Sequence, residues 1–248
     1  MRVLIANDDG IDAVGIQTLY RVIKESYECV LIAPDRNRSG ASNSLTLSRP
    51  LQPKEIRRNE YSVDGTPSDC VNLALSGVID GQFDVVVSGI NHGPNLGDDV
   101  IYSGTVAAAM EARHLGRSSI AISLDGKVHF ETAAQVLLQL LSDSHTLNLH
   151  PGILLNVNVP NLPYDQLRGV QVTRLGYRKC AQPATPAQHP KGIPSFWIGA
   201  LSEAHDNAVG TDFWAVENAY VSVTPIHVDM TYYQAMSSLE EWISGGLL

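Results

Sequence analysis

Arg2-Val3-Leu4-Ile5-Ala6, running straight into Asn7-Asp8-Asp9-Gly10, decides how the rest of the chain is read. The apolar run shows no polar alternation, the pattern of a strand covered on both faces. Its end is set by four residues that favour turns. Ile16, Leu19, Tyr20 and Ile23 then recur at helical spacing and form one apolar stripe for packing on a sheet. A buried strand, a polar turn and an amphipathic helix in that order are the unit from which parallel α/β sheets are built.

The unit recurs downstream. Residues 29–33 form a second buried-type strand stopped by Pro34-Asp35, and a polar stretch over 36–44 follows. Thr66 reads as a helix N-cap with Pro67 in the first helical position, where its missing N–H costs nothing. That helix is predicted to run to Ser76, with Gly77 as its stop. Residues 84–88 are another β-branched run, and 89–102 a long loop rich in Gly and Asn. Ser103-Gly104-Thr105 opens a helix to Leu115, stopped by Gly116. Residues 119–123 read as a strand, 132–141 as a helix and 153–159 as a strand ended by Pro160. The pattern predicts a Rossmann-like, doubly wound, mostly parallel α/β sheet as one catalytic domain over residues 1–176.

Beyond Gly176 the pattern changes. Residues 182–194 hold four prolines and little periodicity. Trp197-Ile198-Gly199 and residues 220–225 look like antiparallel strand pieces, and Met236, Leu239, Glu240, Trp242 and Ile243 mark a short terminal helix. Residues 177–248 are therefore expected to form a β-hairpin arm, strands and a C-terminal helix. Such an arm packs either on a neighbouring subunit, giving a homodimer or homotetramer, or back on its own domain.

The bulk numbers narrow the classes of function. The 248 residues are 44% hydrophobic and 17% charged, enough for one large domain with a sizeable core. A net charge of −9 argues against binding a nucleic-acid polymer. It does not exclude a small anionic substrate, because a bound cation inverts the local field. Cys29, Cys70 and Cys180 are too few and too far apart for a disulfide framework or a thiolate metal site. Cys29 and Cys70 read as small core residues. With no signal-peptide pattern and no apolar stretch long enough to span a bilayer, a cytoplasmic protein without membrane partners is expected.

In an open parallel sheet, ligands gather at the carboxyl ends of the strands. Four polar segments fall on that rim here: residues 7–10, 35–43, 88–99 and 103–105. Asp8 and Asp9 could form only an Asx-turn or a cap. Yet two like charges beside a buried strand end are costly without a cation, which favours a metal. The candidate ligands are all oxygens: Asp8, Asp9, the Ser39 hydroxyl and the Asn91 amide. Hard ligands in this number suit one Mg²⁺ or Mn²⁺ completed by water. His92 is a nitrogen ligand to consider, though a loop histidine is more often peripheral. Ser103, Gly104 and Thr105 offer free N–H groups at a helix start and two hydroxyls, a seat for phosphate. Asn43 and Asn95 are further polar donors from the same loops, and Arg36 and Arg38 further charges. Tyr102 could stack on a base or pack in the core.

These segments resemble the SurE survival-protein family of metal-dependent nucleotidases. The likeness is carried by Asn7-Asp8-Asp9-Gly10, residues 33–44, Gly65-Thr66-Pro67-Ser68-Asp69-Cys70-Val71, Ser88-Gly89-Ile90-Asn91, residues 93–100 and residues 102–108. Gly210-Thr211-Asp212 and residues 223–229 extend it over nearly the whole chain. The resemblance implies a Rossmann-like domain whose C-terminal extension exchanges elements between subunits, and a metal held by Asp8, Asp9, Ser39 and Asn91. It also implies hydrolysis of nucleoside 5′- and 3′-monophosphates, with short polyphosphate a further substrate of some members. Two departures stand out: Asp12-Ala13-Val14-Gly15, where members often carry Ala-Pro before Gly, and His92, where a small residue is common. The nucleophile is left as either a water activated by the cation or one of the two carboxylates. A nucleotide-binding protein without turnover, and a different metal hydrolase using the Asp pair as acid and base, remain the rival readings.

Overall fold

Val3, Leu4, Ile5 and Ala6 are fully buried, as a strand without polar alternation requires when both of its faces are covered. A computed structural model of the protein describes residues 1–142, 153–199 and 201–244. In chain order the first half comprises β1 (Arg2–Ala6), α1 (Val14–Ile23), β2 (Glu28–Pro34), β3 (Lys54–Arg57), β4 (Glu60–Val63), α2 (Pro67–Leu73), β5 (Val85–His92), α3 (Gly104–His114), β6 (Ser118–Asp125), α4 (Phe130–Ser142) and β7 (Leu154–Pro160). There follow β8 (Val170–Val172), β9 (Tyr177–Arg178), β10 (Thr185–Ala187), β11 (Ser195–Trp197), β12 (Ala204–Asp206), α5 (Asp212–Glu217), β13 (Val221–Ile226) and α6 (Met236–Ser244).

Nine strands form one sheet in the order β3-β4-β2-β1-β5-β6-β7-β13-β8. From β4 to β7 every neighbouring pair is parallel. The antiparallel pairings are β3 on β4 at one end and β13 on β7 at the other. The chain winds outward in one direction through β2 and β4 and in the other through β5, β6 and β7. The strand order therefore reverses between β1 and β5, and the crevice at that switch point is where such sheets bind ligands.

Strand periodicity of two sorts the core into faces. Val3 and Ile5 pack with Ile16, Leu19 and Ile23 of α1 and with Phe130, Ala134 and Leu137 of α4. Leu4 and Ala6 face the other way, against Cys70 and Val71 of α2 and Ala108 and Ala112 of α3. The Thr66 cap is present as a reciprocal capping box with Asp69, and Pro67 holds the expected first position. No helix of the described residues is long and apolar enough to cross a membrane. Cys29 and Cys70 are buried, and all three cysteines are free.

The helix opened by Pro67 continues, as expected, to a stop at Gly77, where φ is +98°, its last turn widened over Ala74–Val78. The structure differs from the sequence expectation in three places. β5 runs on to His92, into the stretch 89–102 read as a loop. β3 and β4 were not expected, because β3 is exposed along its length and offers no buried stripe to read. Finally, the stretch beyond 176 is not set apart as an arm throughout. β13 lies inside the main sheet between β7 and β8, since Val221 and Val223 belong to the main core. The hairpin of β10 and β11 and the terminal α6 do follow the expectation. Residues 182–194, read as a loop or an extended arm, contain β10.

Candidate active site

Asp8 and Asp9 leave β1, and Asn91 and His92 end β5, so the two strands flanking the switch point deliver their polar ends to one crevice. The turn itself is made by Asn7: its Oδ1 accepts from Gly10 N at 3.2 Å and its Nδ2 donates to Gly10 O at 2.9 Å. Asn7 thus takes the Asx-turn role, and both aspartates are released from it. Asp8 is only 4% exposed, whereas Asp9 is half-buried. Burial pushes the Asp8 carboxyl up to about 6, with the Thr105 hydrogen bond opposing the rise and the Asp9 charge adding to it.

The polar loop after β2 folds over this turn. Arg38 N donates to Asp8 O at 2.7 Å, which places the next residue, Ser39, with its Oγ 3.5 Å from Asp9 Oδ1. The other Asp9 oxygen is 3.4 Å from His92 N. Both contacts are long, so Asp9 is held loosely by its own chain. Asn91 Nδ2 donates to Gly93 O at 2.8 Å, which leaves Asn91 Oδ1 as the group still to be paired. The parallel register of β5 on β6 shifts between Ser88 and Asn91, a bulge that re-aims the strand end. Gly89 sits in that bulge with φ +140°, and a Cβ there would lie 2.2 Å from Ile122 O.

The start of α3 closes the crevice from the far side. Ser103 Oγ accepts from Val106 N at 3.0 Å as the N-cap, and the N–H groups of Gly104 and Thr105 have no acceptor among the described residues at the positive end of an eleven-residue helix. Gly104 is required by proximity: a Cβ would lie 2.7 Å from Asp8 Cβ and 2.8 Å from its Oδ2. The Thr105 side chain differs from the expectation. It is fully buried and its hydroxyl donates to Asp8 Oδ1 at 2.6 Å, so it orients the carboxylate and does not face a phosphate.

A cavity of about 700 Å³ opens here, lined among others by Asp8, Ser39, Asn91, His92, Asn95, Ser103 and Gly104. Tyr102 lines it too and is 69% exposed, which excludes the core-packing role considered for it. Asn43 is exposed, does not line the cavity and accepts from Ser68 Oγ at 3.4 Å. Arg36 and Arg38 lie outside it and approach Asp35 at 3.9 and 3.7 Å. His227 and Asp229 are exposed away from it, with Asp229 paired to Tyr233. The oxygen set of Asp8, Asp9, Ser39 and Asn91 fits a hard divalent cation that keeps several waters. Among the described residues no group of three or more His, Cys, Asp and Glu converges.

Sequence reasoning missed the opposite wall. Arg178 lines the cavity, and its guanidinium reaches Asp99 Oδ1 through Nε at 3.0 Å and Oδ2 through Nη2 at 2.6 Å, with Nη1 on Ser202 O at 2.8 Å. Arg178 N also donates to Asp98 Oδ2 at 2.9 Å. Behind them Asp212, fully buried, accepts from Gly97 N at 2.7 Å and Gly176 N at 2.8 Å. These contacts tie β9 to the loop that leads into α3. The available signals were the Arg178-Lys179 pair and an acidic residue directly after a capping Thr211.

With the geometry in place, comparison with known proteins is direct. Residues 3–182 match the family model described as Survival protein SurE. The chain is similar to the 5′-nucleotidase SurE of Marinomonas sp. (strain MWYL1), 70% identical with 98% of each chain covered. It is also similar to the 5′-nucleotidase SurE of Mannheimia succiniciproducens, 53% identical over 98% of this chain and 99% of that one. Among solved structures it superposes on the SurE protein from Aquifex aeolicus with a TM-score of 0.87, at 43% identity, covering 98% and 99% of the two chains.

Proposed function

The chain belongs to the SurE family, and from that premise we propose that it is a nucleotidase: a metal-dependent phosphatase that releases phosphate from nucleoside 5′- and 3′-monophosphates, and from short polyphosphate. The observation that carries the reading is the buried Asp8 beside Asp9 at the switch point, packed against the N-terminal turn of α3. The names of its relatives supply the nucleotidase activity. The four oxygen ligands supply the case for Mg²⁺ or Mn²⁺, one per subunit.

Asp8, Asp9, Ser39 and Asn91 would hold the cation, which when bound polarises a phosphate oxygen and makes a water more acidic. The protein's own groups do the rest. The N–H groups of Gly104 and Thr105 and the Ser103 hydroxyl hold phosphate oxygens as charge spreads over them in the transition state. The Thr105 hydroxyl fixes the rotamer of Asp8. Tyr102 and the apolar residues Ile198 and Leu201 offer flat, water-excluding surface for the nucleoside on the cavity wall. Exposed Phe196, Trp197 and Trp242 on β11 and α6 support assembly as a homodimer or homotetramer through the arm.

Phosphate release from 5′-AMP, 5′-GMP, 3′-AMP and inorganic tripolyphosphate, with Mn²⁺ and with EDTA, tests the reading. Release that depends on metal is expected. Tight nucleotide binding with no release would replace the enzyme by a binding protein, and inertness toward every phosphate would overturn both.

A further inference from the structure

β7 reads Leu-Leu-Asn-Val-Asn-Val-Pro, with Asn156 and Asn158 on one face and both fully buried. Asparagine is depleted in strands, and a buried amide is costly unless its hydrogen bonds are made. Here three of them are made to the backbone of one residue of the site. Asn158 Oδ1 accepts from Asn95 N at 2.8 Å, while Asn158 Nδ2 donates to Asn95 O at 3.0 Å. A single side chain therefore pairs with Asn95 as a neighbouring strand would. Asn156 Nδ2 donates to the same carbonyl at 2.8 Å. On β6 the register partner of Asn158 is Ser123, whose Oγ accepts from Asn95 Nδ2 at 2.8 Å.

Asn95 thus has its N–H, its carbonyl and its Nδ2 all fixed from strands two positions away from the switch point, and it lines the cavity beside Asn91 and Ser103. The arrangement does not look optimised for stability alone: Asn156 Oδ1 is buried without a partner among the described residues, a group an aliphatic side chain would not leave unmet. We infer that Asn158, supported by Asn156, is a positioning residue for nucleotide recognition, acting through Asn95 across the sheet. The inference rests on the nucleotide reading of the cavity. Its physical basis is that beyond Gly93, whose N–H donates to Leu124 O of β6 at 2.9 Å, the loop over residues 94–97 belongs to no strand ladder, so the asparagine amides stand in for one and set where the Asn95 side chain stands.

A double-mutant cycle on the full-length protein tests this, with Asn95→Ala, Asn158→Leu and both together, and with Asn158→Asp as a second variant. Asn158→Leu keeps the branching of the side chain, removes both polar atoms and is somewhat larger, which Asn158→Asp controls for. Asn158→Asp keeps the acceptor for Asn95 N and sets an oxygen against Asn95 O. The readouts are KM and kcat for 5′-AMP with Mn²⁺, calorimetric binding of 5′-AMP, and hydrogen exchange of the peptide spanning residues 91–97. Asn158→Leu or Asn158→Asp is expected to raise KM and the dissociation constant at least tenfold and to speed exchange in that peptide while β5 and β6 stay protected. In the Asn95→Ala background the same change should add less than twofold. A folded Asn158 variant with KM and binding within twofold of wild type, or one whose full penalty repeats on top of Asn95→Ala, overturns the inference. A merely structural role would lower kcat through the fraction of active protein and leave KM in place, which also overturns it. If wild type binds 5′-AMP without releasing phosphate, the nucleotidase reading fails while the cycle is still decided on binding and exchange.

Discussion

Replacing Asp8 by Asn should stabilise the metal-free protein while abolishing metal-dependent turnover. The Asp8 carboxyl is raised from its usual 3.8 to about 6, chiefly because burial penalises its charge. A folded-state value above the unfolded one gives stability that is full below about 3.8 and is lost as the pH rises through about 6. At 1.36 kcal/mol per pKa unit, metal-free wild type loses about 3 kcal/mol from this group by pH 8. An asparagine has no charge to lose, and its Oδ1 can still accept from the Thr105 hydroxyl. The variant should therefore be more stable than wild type in EDTA at pH 8, by up to about 3 kcal/mol, and by only about 1 kcal/mol at pH 4.5. The difference between the two pH values, about 2 kcal/mol, reports Asp8 together with its coupling to the adjacent Asp9 charge, because carboxylates remote from the site titrate alike in both proteins. In a thermal melt it corresponds to about 4–8 °C for a chain of this size. Saturating Mn²⁺ should reverse the order, since a ligand that binds only the native wild type stabilises it by mass action. A variant no more stable than wild type at pH 8 in EDTA, or one whose advantage is the same at pH 4.5, would refute the account of Asp8 as an uncompensated buried charge.

Three further outcomes follow from the same geometry. Mn²⁺ binding should release protons below pH 7, its apparent affinity climbing with pH through about 6 and then levelling, as calorimetry in buffers of different ionisation enthalpy would show. Gly104→Ala, whose Cβ would lie 2.7 Å from Asp8 Cβ, should keep its far-UV circular dichroism yet lose about 100-fold in kcat/KM, or about 2.7 kcal/mol of transition-state binding. Asp212→Ala leaves the N–H groups of Gly97, Gly176 and Phe213 without their shared acceptor and should cost about 3 kcal/mol or more in urea unfolding; an unchanged midpoint would remove Asp212 as a staple.

Local features transmitted themselves faithfully from sequence to structure. The uniform apolar runs at residues 3–6 and 29–33 became buried central strands because a strand lacking a polar face is stable only under two covering layers. The Thr66 capping box formed because all its partners lie within four residues. Where a signal needed periodicity that the residues do not carry, it was not legible. Lys54-Glu55-Ile56-Arg57 pairs with β4 at the sheet edge with every side chain exposed, so nothing in its order separates it from a polar loop. Gly77 stops the helix because only a residue without a Cβ takes its φ of +98° cheaply, a local requirement visible in the sequence.

For the site, the sequence alone determined which strand ends carry chemistry, because polar clusters directly after buried strands reach the same rim of a parallel sheet. It singled out Asp8, Asp9, Ser39, Asn91, Asn95, Ser103 and Gly104 as candidates; the turn at Asp8 and Asp9 and the cap at Ser103 are set by short-range order, whereas Asn95 is held by β6 and β7. Tertiary structure alone decided what each group is free to do. Thr105 turned out to hold Asp8, Asn43 fell outside the cavity, and Tyr102 stood exposed on its wall. Only the fold brought Arg178, Asp212 and Asn158 to the site, from 63 to 115 residues away along the chain from the atoms they hold in the loop over residues 95–99. The physical reason is the range of the interaction. A turn or a cap is fixed by neighbours in sequence, whereas the pairing of a buried amide or carboxylate with a distant peptide exists only after the strands between them have docked.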